Sequence, residues 1–241
     1  MSAPEATTAP AAPLTHRRVL KIAVPIVLSN ATVPILGAVD VGVVGQMGEA
    51  APIGAVAMGA IILTTAYWIF GFLRMGTVGL VGQAAGGGDD DEVSAWLTRA
   101  LLVAGIGGFS LILLQVPLFW AAFQLSPASA EVESLARGYL AIRIWTAPAA
   151  IAVYALTGWL IAMERTGAVF WIQLGMNGVN IALNFVFVLG FGWGVEGVAI
   201  ATVIAELLGA GLGLWFCRAD FVRPAWRDRS RVLERAKLVR M

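Results

Sequence analysis

The polar side chains inside the long apolar stretches of this 241-residue sequence are the residues that could do chemistry. Asp40 lies in the segment Gly-Ala-Val-Asp-Val-Gly, 22 residues after Arg18, a separation of about 33 Å if the chain is helical. A carboxylate screened from water at that depth would bind and release a proton near neutral pH. The alternative is that Asp40 only reaches the boundary between membrane and water.

Three asparagines, Asn177, Asn180 and Asn184, have the spacing i, i+3, i+7 that puts them on one face of a helix. Measured along the helix from the closest basic flank, Asn180 and Asn184 lie at depths of about 22 and 28 Å. Thr202, in the next helix, lies at a depth of about 24 Å. That is about the depth of Asp40, so carboxylate, amide and hydroxyl oxygens could form a polar pocket for a proton-linked water network or Na⁺. Asparagines that simply bond packed helices together are the other interpretation.

Glu206 follows Thr202 by one helical turn and is expected on the same face. It is interpreted either as a second carboxylate of the pocket or as the partner of an arginine such as Arg74. The second interpretation is favoured, because a charge inside a membrane span needs a partner.

Two prolines, Pro25 and Pro34, fall in the same stretch as Asp40. Pro34 has no N–H to donate to the carbonyl of Asn30, and its ring crowds that turn, so a kink is predicted there. A bendable helix that carries a titratable carboxylate could act as a gate, since protonation would change which bend is favoured.

The elements that must position these residues are membrane helices. The sequence is 59% hydrophobic and only 13% charged, whereas a soluble domain has about 25% charged residues. Six apolar stretches each have the ~20 residues that a helix needs to cross a bilayer. An all-α, polytopic fold is therefore predicted: a disordered tail (1–14), a six-helix transmembrane lobe (15–217, with spans at about 19–46, 52–82, 95–123, 138–163, 166–189 and 195–217) and a basic cytoplasmic tail or linker (218–241).

The distribution of Lys and Arg predicts the orientation. With the N-terminus inside the cell, thirteen basic residues fall in cytoplasmic flanks and two, Arg137 and Arg143, in outer flanks. Both termini are therefore predicted to be cytoplasmic, and the basic tail is expected to contact anionic membrane lipid rather than nucleic acid. The acidic run from Asp89 to Glu92 is interpreted as a solvated turn.

Catalysis is the least supported class of function. One cysteine and one histidine exclude a disulfide within the chain, a thiolate metal site and a histidine-based triad. No paired-carboxylate or Ser/Lys constellation is evident, so the protein is predicted not to be an enzyme and to need no cofactor. No metal is expected beyond a possible Na⁺ at Asp40, Asn180, Asn184 and Thr202.

Several segments resemble the MATE (multidrug and toxic compound extrusion) transporters, and most closely their DNA-damage-inducible (DinF-like) branch. The resemblance covers about residues 20–216. The strongest match is the stretch from Leu20 to Gly48, LKIAVPIVLSNATVPILGAVDVGVVGQMG, and the others are FLRM (72–75), VGQA (81–84), IRIWTAPA (142–149) and GVAIATVIAE (197–206).

The resemblance implies ion-coupled antiport, with H⁺ or Na⁺, of small organic compounds that are cationic or amphipathic, out of the cell across a bacterial plasma (inner) membrane. It also implies that Asp40 is the coupling carboxylate and that Asn180, position 184 and Thr202 surround it. Asn184 departs from the family, which commonly has Asp there, and this leaves the coupling ion and its stoichiometry open.

Family members have about twelve helices in two lobes, and this chain resembles the first lobe alone. A second six-helix lobe, or a second copy of the chain, would then be its partner, because one lobe cannot perform rocking alternating access. The alternative is a membrane lobe or assembly subunit that does not transport.

Overall fold

The computed structural model of the protein describes residues 16–234 and Lys237, with the side chains of residues 18, 21, 22 and 32–36 excepted. Throughout this part of the chain the regular structure is helical and no strand is found, so the predicted all-α fold is confirmed. The helices are α1 His16–Gly45, α2 Ala50–Trp68, α3 Gly71–Gly86, α4 Asp90–Leu113, α5 Gln115–Leu125, α6 Ala130–Arg143, α7 Ala147–Ala162, α8 Thr166–Asn184, α9 Gly194–Cys217 and α10 Arg229–Val232.

The helix that carries Asp40, α1, is one helix of 30 residues. The hydroxyl of Ser29 donates a 2.7 Å hydrogen bond to the carbonyl of Pro25, one turn earlier. The side chain of Pro34 lies outside the described residues, as does the predicted tail 1–14, so the kink at Pro34 remains a prediction.

Several of the long apolar stretches are interrupted. The predicted span 52–82 comprises α2 and α3, which meet at a turn over Ile69 and Phe70. A 3₁₀ turn, Ile144–Thr146, joins α6 to α7, and a π-helical segment, Phe185–Gly190, follows α8. Such breaks leave backbone groups without the regular helical partner, so they occur where side chains or neighbouring helices supply one.

Five helical stretches of the described chain are long and apolar enough to cross a membrane: Ala50–Gly86, Asp90–Leu113, Ala130–Ala162, Thr166–Gly190 and Gly194–Val222. Their outer surfaces expose large apolar side chains such as Leu113 and Trp68, at 83% and 74%, which suits contact with lipid. The first predicted span corresponds to α1. A count of six spans remains a prediction, because the side chains of α1 are described only in part.

Glycines allow the helices to approach closely. α4 and α7 pack extensively, and a Cβ added at Gly108 would overlap the backbone of Pro148. A Cβ at Gly158 of α7 would lie 2.7 Å from the carbonyl oxygen of Arg74 in α3. Small residues at helix contacts are the usual way in which membrane helices gain packing energy.

The basic tail is docked on the start of α4. Arg99 is fully buried and donates hydrogen bonds to Glu92 (2.7 Å) and to the carbonyl oxygens of Arg231 (2.5 Å) and Val232 (3.1 Å). Lys237 forms a 3.0 Å ion pair with Glu92, and hydrogen bonds to Glu234 and Glu92 raise the pKa of Lys237. Asp89, Asp90 and Asp91 are exposed, as the interpretation of a solvated turn expected, but Glu92 is buried and the run binds the tail, which that interpretation did not include.

The same acidic run also starts the helix. The Asp89 carboxylate accepts a 2.9 Å hydrogen bond from the backbone N–H of Glu92 and so caps α4. Arg231 and Arg223 form ion pairs with Asp89 (3.5 Å) and Asp90 (2.9 Å). Negative charge at the first turn of α4 is favourable for the helix dipole and at the same time binds the tail.

Candidate functional site

Four side chains from three helices form one line of hydrogen bonds. The Asn184 amide donates to the Asp40 carboxylate at 2.5 Å and to the Asn180 side-chain oxygen at 2.8 Å. Asn180 in turn donates to the Thr202 hydroxyl at 2.9 Å, and Thr202 donates to the carbonyl of Val198 at 2.9 Å. Every predicted pocket residue except Asn177 and Glu206 lies in this line.

Helix packing explains why these side chains meet. α8 packs against both α1 and α9, and its asparagine face is buried, with Asn180 and Asn184 at 0% exposure. Asn177 lies on the same buried face, one turn before Asn180. Asp40 is half-buried on α1, and Thr202 is 8% exposed on α9. Isolated amides are unfavourable in a membrane interior, so Asn180 and Asn184 are stabilised there by their bonds to each other, to Thr202 and to Asp40.

The line of bonds has one unsatisfied atom. The side-chain oxygen of Asn184 is buried and has no hydrogen-bond partner in the described chain. A buried acceptor without a partner costs about 1–3 kcal/mol of desolvation. This oxygen belongs to the amide group that bonds Asp40, so a proton or a cation arriving there would find both a carboxylate and a free carbonyl oxygen.

Glu206 belongs to a separate buried network. Arg143 donates to the Glu206 carboxylate at 2.5 Å and to the Tyr139 hydroxyl at 2.7 Å. The Thr146 hydroxyl also contacts Glu206, and it lies 2.8 Å from the carbonyl oxygen of Arg143. Glu206 therefore has an arginine partner, as the favoured interpretation expected, but that arginine is Arg143 and not Arg74.

The two networks are close enough to interact electrostatically. The Arg143 guanidinium attracts the Asp40 carboxylate as well as that of Glu206. Tyr139, which accepts a hydrogen bond from Arg143, also interacts electrostatically with Asp40. Arg143 is thus a buried cation that pairs with Glu206 and also interacts electrostatically with the half-buried Asp40.

Arg143, Tyr139 and Thr146 were missed as site residues because Arg143 was counted as an outer flank. It lies instead within the membrane-crossing stretch Ala130–Ala162 and is 8% exposed. The signal was present in the sequence: a lone arginine between Ile142 and Ile144, in an apolar context, is a candidate for a buried ion pair. With Arg143 removed from the outer flank, the basic-residue count favours the predicted orientation more strongly, although the orientation itself stays a prediction.

Comparison with known proteins identifies the family. The MatE family model matches residues 25–186, more than half of the chain, and includes Asp40, Asn180 and Asn184. The chain belongs to the MatE family. It is 34% identical over 221 residues to "DNA damage-inducible protein F" of Escherichia coli (strain K12), covering 88% of this chain and 48% of that protein.

Other relatives agree. The chain is 29% identical over 237 residues to "Probable multidrug resistance protein NorM" of Rhizobium meliloti (strain 1021), covering 89% of this chain and 49% of the relative. Its fold matches the outward-facing conformation of a multidrug resistance MATE family transporter of the MOP superfamily, with a TM-score of 0.76 and 18% identity over 83% of this chain and 44% of the other.

These matches make the protein a multi-pass membrane protein of a transporter family. The MatE chain spans about half the length of the curated relatives that it matches.

Proposed function

We propose that this MatE chain is the first lobe of an antiporter that exports small organic, cationic or amphipathic compounds in exchange for H⁺ or Na⁺. The observation that carries the proposal is the 2.5 Å bond between Asn184 and Asp40, backed by Asn180 and Thr202. When a half-buried carboxylate ends a line of buried hydrogen bonds between helices, a change in its charge can alter every bond in that line. It requires no cofactor besides the coupling ion.

Protonation would act through the amide of Asn184. The ionised Asp40 carboxylate only accepts hydrogen bonds, here from the Asn184 N–H, whereas a protonated carboxyl also has an O–H that needs an acceptor. The unsatisfied oxygen of Asn184 is an available acceptor for that proton. Rotation of the amide to offer this oxygen would break its bond to Asn180, so binding of a proton changes the contact between α1 and α8.

Na⁺ is the other coupling ion that fits the chemistry. Hard cations prefer oxygen ligands, and the side chains of Asp40, Asn180, Asn184 and Thr202 supply carboxylate, amide and hydroxyl oxygens. Asn184 provides a neutral ligand where the family commonly has a carboxylate, which leaves one negative charge at the site. A singly charged site suits one monovalent cation.

The transport cycle would need a second lobe, because alternating access in such folds is the movement of one repeat against the other. The proposed partner is a second six-helix lobe or a second copy of this chain, in a bacterial plasma membrane with both termini cytoplasmic. Membrane lipid would contact the exposed apolar surface of the helices.

A flux experiment tests the proposal. The purified chain is placed in lipid vesicles that contain ethidium, a cationic probe, and a gradient of H⁺ or Na⁺ is imposed. If a second copy of the chain supplies the other lobe, gradient-driven movement of ethidium is expected, and Asp40→Asn should abolish it. Glu49→Gln is the matched control, since Glu49 is exposed at the start of α2 and its side chain makes no capping bond. Gradient-driven flux that survives Asp40→Asn would refute the coupling role.

The chain matches about half the length of its relatives, and a second candidate function is compatible with that match. It is a folded membrane lobe that assembles with a partner and does not transport alone. The same vesicles test the two: absence of flux from the unaltered chain, with ethidium retained under both gradients, rules out a transporter made of two copies and supports a lobe that does not transport without another partner.

A further inference from the structure

A cavity of about 460 Å³ opens where α2 gives way to α3, and Asp40 is not among the residues that line it. Its lining combines aromatic, thioether and cationic groups from α2, α3 and α7: Trp68, Gly71, Phe72, Arg74, Met75 and Tyr154. A pocket of a few hundred Å³ with mostly apolar walls and one charged group is typical of a small-molecule site.

Arg74 is the unusual member of this lining. It lies in the membrane-crossing stretch Ala50–Gly86, 12 residues before its end, or about 18 Å of helix. In the described chain, residues 16–234 and Lys237, no carboxylate forms a salt bridge with Arg74. The arginines at 99, 137, 143 and 165 all have an acidic partner there.

The position of Arg74 is fixed by the backbone. Its carbonyl oxygen lies against Gly158 of α7, where a Cβ would come within 2.7 Å. The nearest buried acid network cannot serve it, because the Glu206 carboxylate is occupied by Arg143 and Thr146. An unpaired cation held in an apolar span is unfavourable unless it faces water or binds an anion.

The apolar side chains that line the cavity indicate what else, besides an anionic group, the ligand should contain. Trp68 and Met75 are 74% and 79% exposed, and Phe72 is exposed beside them. Flat aromatic and flexible thioether surfaces bind apolar chains or rings of varied shape. The guanidinium binds a carboxylate or phosphate through two parallel N–H donors, and the Tyr154 hydroxyl is a further donor at the same cavity.

We propose that this cavity binds an amphipathic anion, with its carboxylate or phosphate on Arg74 and its apolar body against Trp68, Phe72 and Met75. Two sources share that chemistry: an acidic membrane lipid and an anionic solute. The site is separate from Asp40, so the inference holds whether or not the chain transports.

Binding is tested with the purified chain in lipid nanodiscs, through quenching of tryptophan fluorescence by bromine-labelled dodecanoate. Saturable quenching is expected, and Arg74→Gln should weaken the apparent affinity at least ten-fold. Arg137→Gln, which removes an exposed arginine of α6, is the control and should leave the affinity unchanged. Trp68→Ala, at an exposed position, should reduce both the quenching and the affinity.

Two comparisons define the ligand. A bromine-labelled dodecyl trimethylammonium of the same length should bind at least ten-fold more weakly than dodecanoate. If acidic lipid is the occupant, dodecanoate should bind more weakly in phosphatidylglycerol discs than in phosphatidylcholine discs, and Arg74→Gln should remove that difference. If a solute is the occupant, the two discs should give the same affinity.

Three results would overturn the proposal. The first is that dodecanoate gives no saturable quenching. The second is that neither Arg74→Gln nor Trp68→Ala changes the affinity, and the third is that the cation and the anion bind equally well. The first would be expected if a carboxylate of a partner lobe or second copy already occupied Arg74. Because the readout is equilibrium binding, a failure here leaves the flux test of Asp40 unaffected.

Discussion

The amide of Asn184 bonds Asp40 and Asn180 at once, at 2.5 Å and 2.8 Å. Through Asn180, the side chain of Asn184 therefore connects the carboxylate of α1 to the hydroxyl of Thr202 on α9. Because both amide hydrogens are used, an Asn184 amide that rotates to accept a proton from Asp40 would lose its bond to Asn180. The consequences can be tested by changing one residue at a time.

Asn184→Asp is expected to add one bound proton or cation to the site. Its carboxylate would lie about as close to Asp40 as the amide does now, and two carboxylates at that distance cannot both stay ionised in a dry site. Potentiometric titration of the purified protein between about pH 5 and 9 should detect about one additional proton bound. Gln46→Glu, which adds a carboxylate at the exposed end of α1, is the control. Equal proton uptake by the two variants would contradict the interpretation.

Arg143→Met is expected to destabilise the fold by about 3–5 kcal/mol, because it leaves the Glu206 carboxylate buried without its partner. The double change Arg143→Met with Glu206→Met should recover much of that loss, since no isolated charge remains. Denaturant unfolding in detergent measures both. Arg137→Met on the same helix removes an exposed pair with Glu133 and should cost about 1 kcal/mol or less. Equal losses of unfolding free energy in Arg143→Met and Arg137→Met would show that the buried pair contributes no more to stability than the exposed pair.

Gly108→Ala should destabilise the packing of α4 on α7, because its methyl group would overlap the backbone of Pro148, which cannot move aside like a side chain. A loss of about 1–3 kcal/mol is expected. Gly105→Ala, on the same helix with nothing within 4 Å of the added atom, should be neutral or stabilising by up to about 1 kcal/mol. Thermal unfolding in detergent compares the two, and a Gly108→Ala protein as stable as the original would refute the close contact.

Arg99→Gln should release the tail from α4, because three hydrogen bonds of a fully buried guanidinium are lost. Trypsin cleavage after the tail arginines is then expected to become roughly ten-fold faster, since cleavage follows the population of the open form. Arg229→Gln, an exposed change in the same tail, should alter the rate only through the loss of its own cleavage site. An unchanged digestion pattern in Arg99→Gln would mean that the tail is held by other contacts.

The meeting of Asp40, Asn180, Asn184 and Thr202 could be anticipated from the sequence, since helix rise and the basic flanks give each residue a depth. Depth alone could not reveal that Asn184 bonds Asp40 directly, because it contains no information on which helix faces which. The partner of Glu206 lies 63 residues away in sequence. Because Arg143 was placed in an outer flank, it was not considered as that partner. Apolar composition likewise does not record where a helix breaks.

The docked tail could not be anticipated for a related reason. Its partners, Arg231 and Asp89, are separated by 142 residues, and each charge run by itself looks like solvated surface. Only the packing of the tail over Arg99 brings the two together. Local patterns thus predicted the elements and their depths, while contacts between distant charges needed the folded chain.

The π-helical segment Phe185–Gly190, directly after Asn184, gives this region an unusual tolerance for changes in chain length. A π-turn contains one residue more than an α-turn, so deleting a single residue there would leave an ordinary α-helix. The same deletion between Asn177 and Asn184 would rotate the asparagines by about 100° relative to one another. Insertions and deletions among relatives should therefore collect just beyond Asn184, where the register of the polar face is already fixed.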